Sequence, residues 1–146
     1  MQARVEWIGK RTFVGLSGSN HAVVMGGAFG EEAAPGPSPM ELVLLGLGGC
    51  TAFDVVHILE KSREPIEHVA AELSAERASE DPKVFTAIHI HFIVRGKGLS
   101  RAKVERAIEL SAEKYCSATA MLQKTARISH DFELHDSGAA PERGRA

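Results

Sequence analysis

Two residues in this chain could carry redox or nucleophilic chemistry, Cys50 and Cys116. A thiolate is a strong nucleophile, and two thiols brought within bonding reach can cycle between dithiol and disulfide. Cys50 interrupts an apolar stretch just after Gly48-Gly49, which would leave its sulfur uncrowded. Cys116 falls where a new helical piece starts, and a helix N-terminus favours a thiolate. The competing reading is that each is a small inert core residue, as buried cysteines commonly are. A disulfide requires Cα atoms about 4.4–6.8 Å apart, a separation that sequence does not measure, so both readings stay open.

Other constellations are weaker. Cys50, Asp54 and His57 share one helical face at offsets of four and seven. Seven residues of helix span about 10.5 Å, so His57 is beyond hydrogen-bond reach of Cys50. A carboxylate one turn away works against a thiolate, and an intrahelical triad is rejected. His89 and His91 alternate on one strand face with no third ligand at short spacing, so they are expected to face solvent and no metal is assigned. Gly46-Leu-Gly48-Gly49-Cys50-Thr51 misses the dinucleotide fingerprint at its last position, and Gly15-Leu-Ser17-Gly18-Ser19 misses the nucleophile elbow.

Composition narrows the class. Seventeen Lys+Arg against nineteen Asp+Glu leave a net charge of −2 over 146 residues, with no basic stripe for phosphate neutralisation. Binding to nucleic acid or to anionic lipid is therefore not expected. At 44% hydrophobic and 25% charged the chain is an ordinary globular one. With aromatics at 5%, aliphatic side chains must build the core. Two cysteines are too few for a disulfide scaffold or for a zinc site of cysteines alone. The start lacks the layout of a signal peptide. The most apolar run, Leu42 to Val56, is shorter than a membrane span and is broken by Gly46, Gly48, Gly49 and Asp54. A cytoplasmic protein with reduced thiols is expected.

The elements that must hold the thiols follow from pattern. Short alternating runs around Val5-Trp7, Phe13-Val14 and Ala22–Met25, separated by turn residues, read as an antiparallel meander. Ser38 as N-cap, Pro39 at the first helical position and Glu41 in the first turn start a helix that runs to about Lys61. Its first half is apolar on every side, which one sheet cannot cover; a homodimer with this helix near its centre is expected. Glycines 46, 48 and 49 would allow close backbone approach. Ile66–Ala78 and Val84–Arg95 form a long hairpin, with Val69, Ala71, Leu73, Ala75 and Ile88, Ile90, Phe92, Val94 as its apolar rows. Ser100 caps a second helix whose Val104, Ala107, Ile108, Ser111 and Tyr115 recur at helical spacing. A helical piece over 118–124 and a strand over 126–134 complete a single domain, residues 1–135, and a frayed tail over 136–146 follows. Because strands and helices are segregated, the class is α+β and not a βαβ parallel fold.

Ser38-Pro-Met-Glu-Leu-Val-Leu-Leu-Gly-Leu-Gly-Gly-Cys50-Thr-Ala-Phe-Asp54 resembles the central helix of the OsmC/Ohr family, the osmotically inducible and organic-hydroperoxide-resistance proteins. Glu113-Lys-Tyr-Cys116-Ser-Ala-Thr-Ala-Met-Leu122 is similar to that family's second cysteine motif, and the wording is nearest its YhfA-like branch. The resemblance implies an OsmC-like intertwined homodimer that reduces organic hydroperoxides and hydrogen peroxide, without a bound cofactor. It makes Cys50 the attacking thiol that becomes a sulfenic acid. It makes Cys116 the resolving thiol, with an external dithiol, lipoyl-type in the family, as reductant. Family peroxidases also use a glutamate and an arginine at the thiolate. Met40 stands at the glutamate's position with Glu41 beside it, and Arg11 is the best candidate for the arginine, with Arg4 behind it. The alternative is a non-catalytic OsmC-like dimer that binds a small apolar or thiol-bearing ligand.

Overall fold

Ser38 and Glu41 begin the longest element by capping each other. The Ser38 N–H donates to Glu41 Oε2 at 2.7 Å, and the Glu41 N–H donates to Ser38 Oγ at 3.3 Å. Two otherwise unpaired backbone donors are satisfied at once, the reciprocal box of helix starts. The helix, α1, spans Pro39–Lys61, as its start and stop residues predict. At 23 residues it is long and apolar enough to cross a membrane, so the length argument drawn from Leu42–Val56 does not hold.

A computed structural model of the chain describes residues 1–138. Contacts group the chain into two compact units, Met1–Leu45 and Gly46–Ala146. The first holds the expected meander: β1 (Ala3–Gly9), β2 (Thr12–Ser17) and β3 (Ala22–Gly26), paired antiparallel in that order. Its turns use left-handed residues, Lys10 at φ 48° and Asn20 at φ 65°. Gly26 is required where the chain after β3 doubles back, since a Cβ there would lie 2.2 Å from the Arg11 carbonyl oxygen.

The second unit is built on β4 (Ile66–Arg77) and β5 (Phe85–Gly96). Their register sets Val69 opposite Val94, Ala71 opposite Phe92, Leu73 opposite Ile90 and Ala75 opposite Ile88. The two apolar rows thus share one face, and Ile88, Ile90, Phe92 and Val94 are buried. Helices α2 (Arg101–Leu110) and α3 (Ser117–Leu122) follow, then β6 (Arg127–Asp136). Strand β6 pairs with β5 in parallel, Ala87 with Arg127 through Gly96 with Asp136. The fold is α+β, as the segregation of strands and helices predicts, and it contains one β–α–β crossover, between β5 and β6. The helices carry the chain back to the starting end of β5, and a strand entered from that end can only run parallel. The strand also outlasts the expected boundary at 134, reaching Asp136, and the Ser137 N–H donates to the Gly96 carbonyl at 3.1 Å. The rest of the anticipated tail, 139–146, lies outside the described residues.

The other face of this sheet carries the histidines, on the solvent side as expected. Glu72, His91 and Asp131 stand in one row across the three strands. Asp131 Oδ1 lies 2.5 Å from His91 Nδ1 and 3.2 Å from His89 Nε2, while Glu133 Oε1 lies 2.7 Å from His135 Nε2. The bond to Asp131 raises His91 above the usual imidazole range, with Glu133 and Glu72 adding to it. The same bond lowers Asp131, helped by the nearby charge of His89. Raised His91 contributes stability fully below its unfolded pKa, about 6.5, and loses it as pH climbs through the raised value. Lowered Asp131 contributes above its unfolded pKa, about 3.9, and loses it as pH falls through the lowered value. The melting-temperature difference between wild type and Asp131→Asn should therefore peak near about pH 5–6 and shrink on both sides. A difference independent of pH would refute the pairing.

Candidate active site

On α1, Leu47, Gly48, Thr51, Val55 and Leu59 are buried, a stripe at three- and four-residue spacing. Gly48 permits the closest packing, because a Cβ there would sit 2.7 Å from Leu73 Cδ1 on β4. The Thr51 hydroxyl is satisfied within the helix, donating to the Leu47 and Gly48 carbonyls at 3.2 and 3.1 Å. A Cβ at Gly46 or Gly49 would meet nothing within 4 Å, so among the described residues Gly48 is the one of the three that serves close packing. Cys50 and Asp54 are half-buried, one turn apart.

The second thiol reaches this helix by a local irregularity. Helix α2 starts at Ser100, whose hydroxyl accepts from the Lys103 N–H. Glu64, leaving α1, accepts the Ser100 N–H at 2.8 Å and pairs with Lys103 Nζ at 2.7 Å. Val104, Ala107, Ile108 and Ser111 point inward as their spacing predicts. The next inward position at α-helical spacing would be Tyr115, yet Tyr115 is 50% exposed. Residues Ser111–Tyr115 form a π-helical turn instead, in which the Cys116 N–H donates to the Ser111 carbonyl five residues back, at 2.9 Å. The wider turn moves the inward position along by one residue. Cys116 takes it and is 3% exposed.

The same serine ties the turn to α1. Ser111 Oγ donates to Asp54 Oδ2 at 3.1 Å. Cys116 is also the N-cap of α3, its sulfur accepting the Thr119 N–H at 3.3 Å. The outcome is a cluster in which Cys50 Sγ, Cys116 Sγ and a carboxylate oxygen of Asp54 all lie within 4.8 Å of one another. Burial pushes the Cys116 thiol above the range of a free cysteine; Thr119 opposes that rise, and the neighbouring Cys50 sulfur adds to it. The Thr119 hydroxyl is itself buried, with no well-aligned partner among the described residues.

Of the residues picked out by sequence, Cys50 and Cys116 are brought together. Arg11 and Glu41 belong to the first unit and are engaged there. Arg11 Nη1 donates to the Ala28 carbonyl at 3.4 Å, with its guanidinium 6.0 Å from the Phe29 ring centre, and the Glu41 carboxylate caps α1. The rejection of His57 as a partner for Cys50 agrees with its position, stacked on Phe53 with ring centres 6.3 Å apart. Asp54 was set aside with it, and there the structure differs, because the carboxylate joins a site completed from another element. Its signal was a lone acid inside an apolar helix at four residues from Cys50. Ser111 carried a weaker signal as a polar residue on an apolar helical face.

A family model described as OsmC-like protein matches residues 30–131, a stretch that contains both thiols and Asp54. The chain belongs to the OsmC-like family. It is 49% identical to the protein YhfA of Escherichia coli K12 over 134 residues, 92% of this chain and 98% of that one. A hypothetical protein from Aquifex aeolicus VF5 is 28% identical, with a TM-score of 0.77 over 92% of this chain and 97% of its own. The OsmC-like protein of Mycoplasma pneumoniae is 15% identical at a TM-score of 0.78, covering 91% and 95%, a likeness of fold. The sequence resemblance is thereby confirmed, and so is the α+β OsmC-like architecture.

For this OsmC-like site one outcome follows directly from geometry. A disulfide needs its sulfurs about 2.05 Å apart, and side-chain rotation can bring Cys50 and Cys116 there from within 4.8 Å. A mild thiol oxidant should close this bond inside one chain, seen as loss of two hydrogens in the intact mass and one linked peptide pair. Cross-linking only between chains would contradict it.

Proposed function

We propose that this chain is a thiol peroxidase working through Cys50 and Cys116. The observation that carries the reading is the pairing of two thiols, 66 residues apart in sequence, with sulfurs inside 4.8 Å. Cys50, as thiolate, attacks one peroxide oxygen. The O–O bond breaks, the alkoxide leaves and takes up a proton as alcohol, and Cys50 becomes a sulfenic acid. The Cys116 sulfur then attacks the Cys50 sulfur; the S–O bond breaks and water leaves with the proton from Cys116. An external dithiol, of lipoyl type, reduces the disulfide and is itself oxidised to one. Burial, which raises the Cys116 thiol, disfavours its thiolate in the resting chain and so leaves the first attack on peroxide to Cys50. The fold is shared with the organic hydroperoxide resistance protein OhrB of Bacillus subtilis, 17% identical with a TM-score of 0.59. It is shared too with the organic hydroperoxide resistance protein OsmC of Legionella pneumophila, 15% identical with a TM-score of 0.66, which supports trying an organic hydroperoxide first.

The working unit in this proposal is a cytoplasmic homodimer. Leu45 is 63% and Phe53 72% exposed on a helix that a lone chain leaves partly uncovered, and Gly46 and Gly49 open onto free space. A second reading, the non-catalytic dimer that binds a small ligand, draws on Arg11 and Glu41, both engaged within their own unit.

Two measurements test these readings. Peroxide consumption with a dithiol reductant should fall at least a hundredfold in Cys50→Ser, and Cys116→Ser should retain one turnover and accumulate a trappable sulfenic acid. Equal rates in wild type and Cys50→Ser would favour the binder. Gly46→Ala and Gly49→Ala each remove a helix penalty of about 1 kcal/mol, so in an isolated chain they should stabilise. If a second chain packs against these glycines, both substitutions should instead weaken the dimer, read by sedimentation at decreasing concentration.

A further inference from the structure

The cluster of Cys50, Asp54 and Cys116 offers more than a redox pair. We propose that the reduced chain binds one zinc ion through Cys50 Sγ, Cys116 Sγ and the Asp54 carboxylate. A tetrahedral zinc holds sulfur at about 2.3 Å and carboxylate oxygen at about 2.0–2.2 Å. Two such sulfurs then stand about 3.8 Å apart, and a sulfur and an oxygen about 3.5 Å apart. The three donor atoms already lie within 4.8 Å of one another, so each has to shift by no more than about an ångström.

Position and chemistry agree with this. Cys50 and Asp54 stand four residues apart on one helix, the spacing at which two side chains can reach a common point. Cys116 arrives from a separate element, fixed by the π-helical turn and by the Thr119 N–H. Ser111 holds Asp54 by its Oδ2, the kind of outer hydrogen bond that orients a ligating carboxylate. Thiolate donors select zinc over magnesium or calcium. Three protein ligands leave the fourth position for water or for a small ligand. His57 is stacked on Phe53, and His89 and His91 bond Asp131 on the solvent face of the sheet, so none of the three joins the cluster.

Binding is electron-neutral. Each thiol gives up its proton to solvent, two Zn–S bonds and one Zn–O bond form, and nothing is oxidised. The same sulfurs make the disulfide, so zinc and disulfide exclude each other. The proposal stands whether or not the chain consumes peroxide.

The test uses the reduced full-length protein and zinc chloride, competed against a chromogenic chelator, with bound metal counted after desalting. One zinc per chain is expected, with none retained after a thiol oxidant has closed the disulfide. Asp54→Asn keeps an acceptor for Ser111 and should weaken zinc at least tenfold with its circular dichroism unchanged. Ser111→Ala should weaken it by about tenfold through loss of the outer bond. A double variant His89→Ala and His91→Ala should bind as wild type does. Failure of the reduced protein to compete with the chelator would overturn the proposal, as would equal binding by wild type and Asp54→Asn, or loss of zinc in the histidine variant. Peroxide consumption by the zinc-free protein is read separately, so a failure there leaves this result intact.

Discussion

The backbone bond from Cys116 to the Ser111 carbonyl organises the functional half of this molecule. It spans five residues instead of four, and that single extra residue decides which side chain faces inward. With a regular α-helix Tyr115 would occupy the buried position, and the thiol would lie about 100° further round the helix. A π-helical turn gives up favourable backbone geometry, and here two interactions offset that: the Ser111 hydroxyl binds the Asp54 carboxylate, and the Cys116 sulfur caps α3. The turn thus places Ser111 and Cys116, and Ser111 in turn fixes the Asp54 carboxylate of α1.

Much of this was legible in the sequence where local chemistry decides the structure. Ser38, Pro39 and Glu41 announce the start of α1 because capping is a four-residue matter, and the hairpin rows announce themselves because strand alternation has a fixed period. Cys50 and Cys116 were recognisable from the company they keep. What the sequence could not supply depends on tertiary closure. The parallel entry of β6 follows from where two helices deliver the chain, and no residue in β6 encodes it. The π-helical turn has no compositional mark, since Ser-Ala-Glu-Lys-Tyr is ordinary helical material. Asp54 was weighed only against its own helix, where a carboxylate near a thiol looks unhelpful. Its partner was 57 residues away.

Helix α1 serves two demands that conflict in a lone chain. Its buried stripe of Leu47, Thr51, Val55 and Leu59 packs the second unit, and Gly48 lets β4 close in. Its remaining apolar side chains, among them Leu45 and Phe53, have no such cover. Large exposed apolar area on a helix this central costs solubility unless something occupies it. Gly46 and Gly49 lower helix propensity and gain no close packing among the described residues, a local inconsistency that the proposed dimer would resolve.

The distance along the chain between the two thiols carries a last consequence, which concerns endurance more than reactivity. A covalent link between Cys50 and Cys116 would close a loop of about 66 residues that includes β4 and β5. In the chain-entropy treatment a loop of that length removes on the order of 4 kcal/mol of disorder from the unfolded state. A typical domain is stable by only about 5–15 kcal/mol. Oxidised and reduced forms of one polypeptide would then differ substantially in their resistance to heat and proteolysis, so the state of two sulfur atoms would also govern how long the molecule survives.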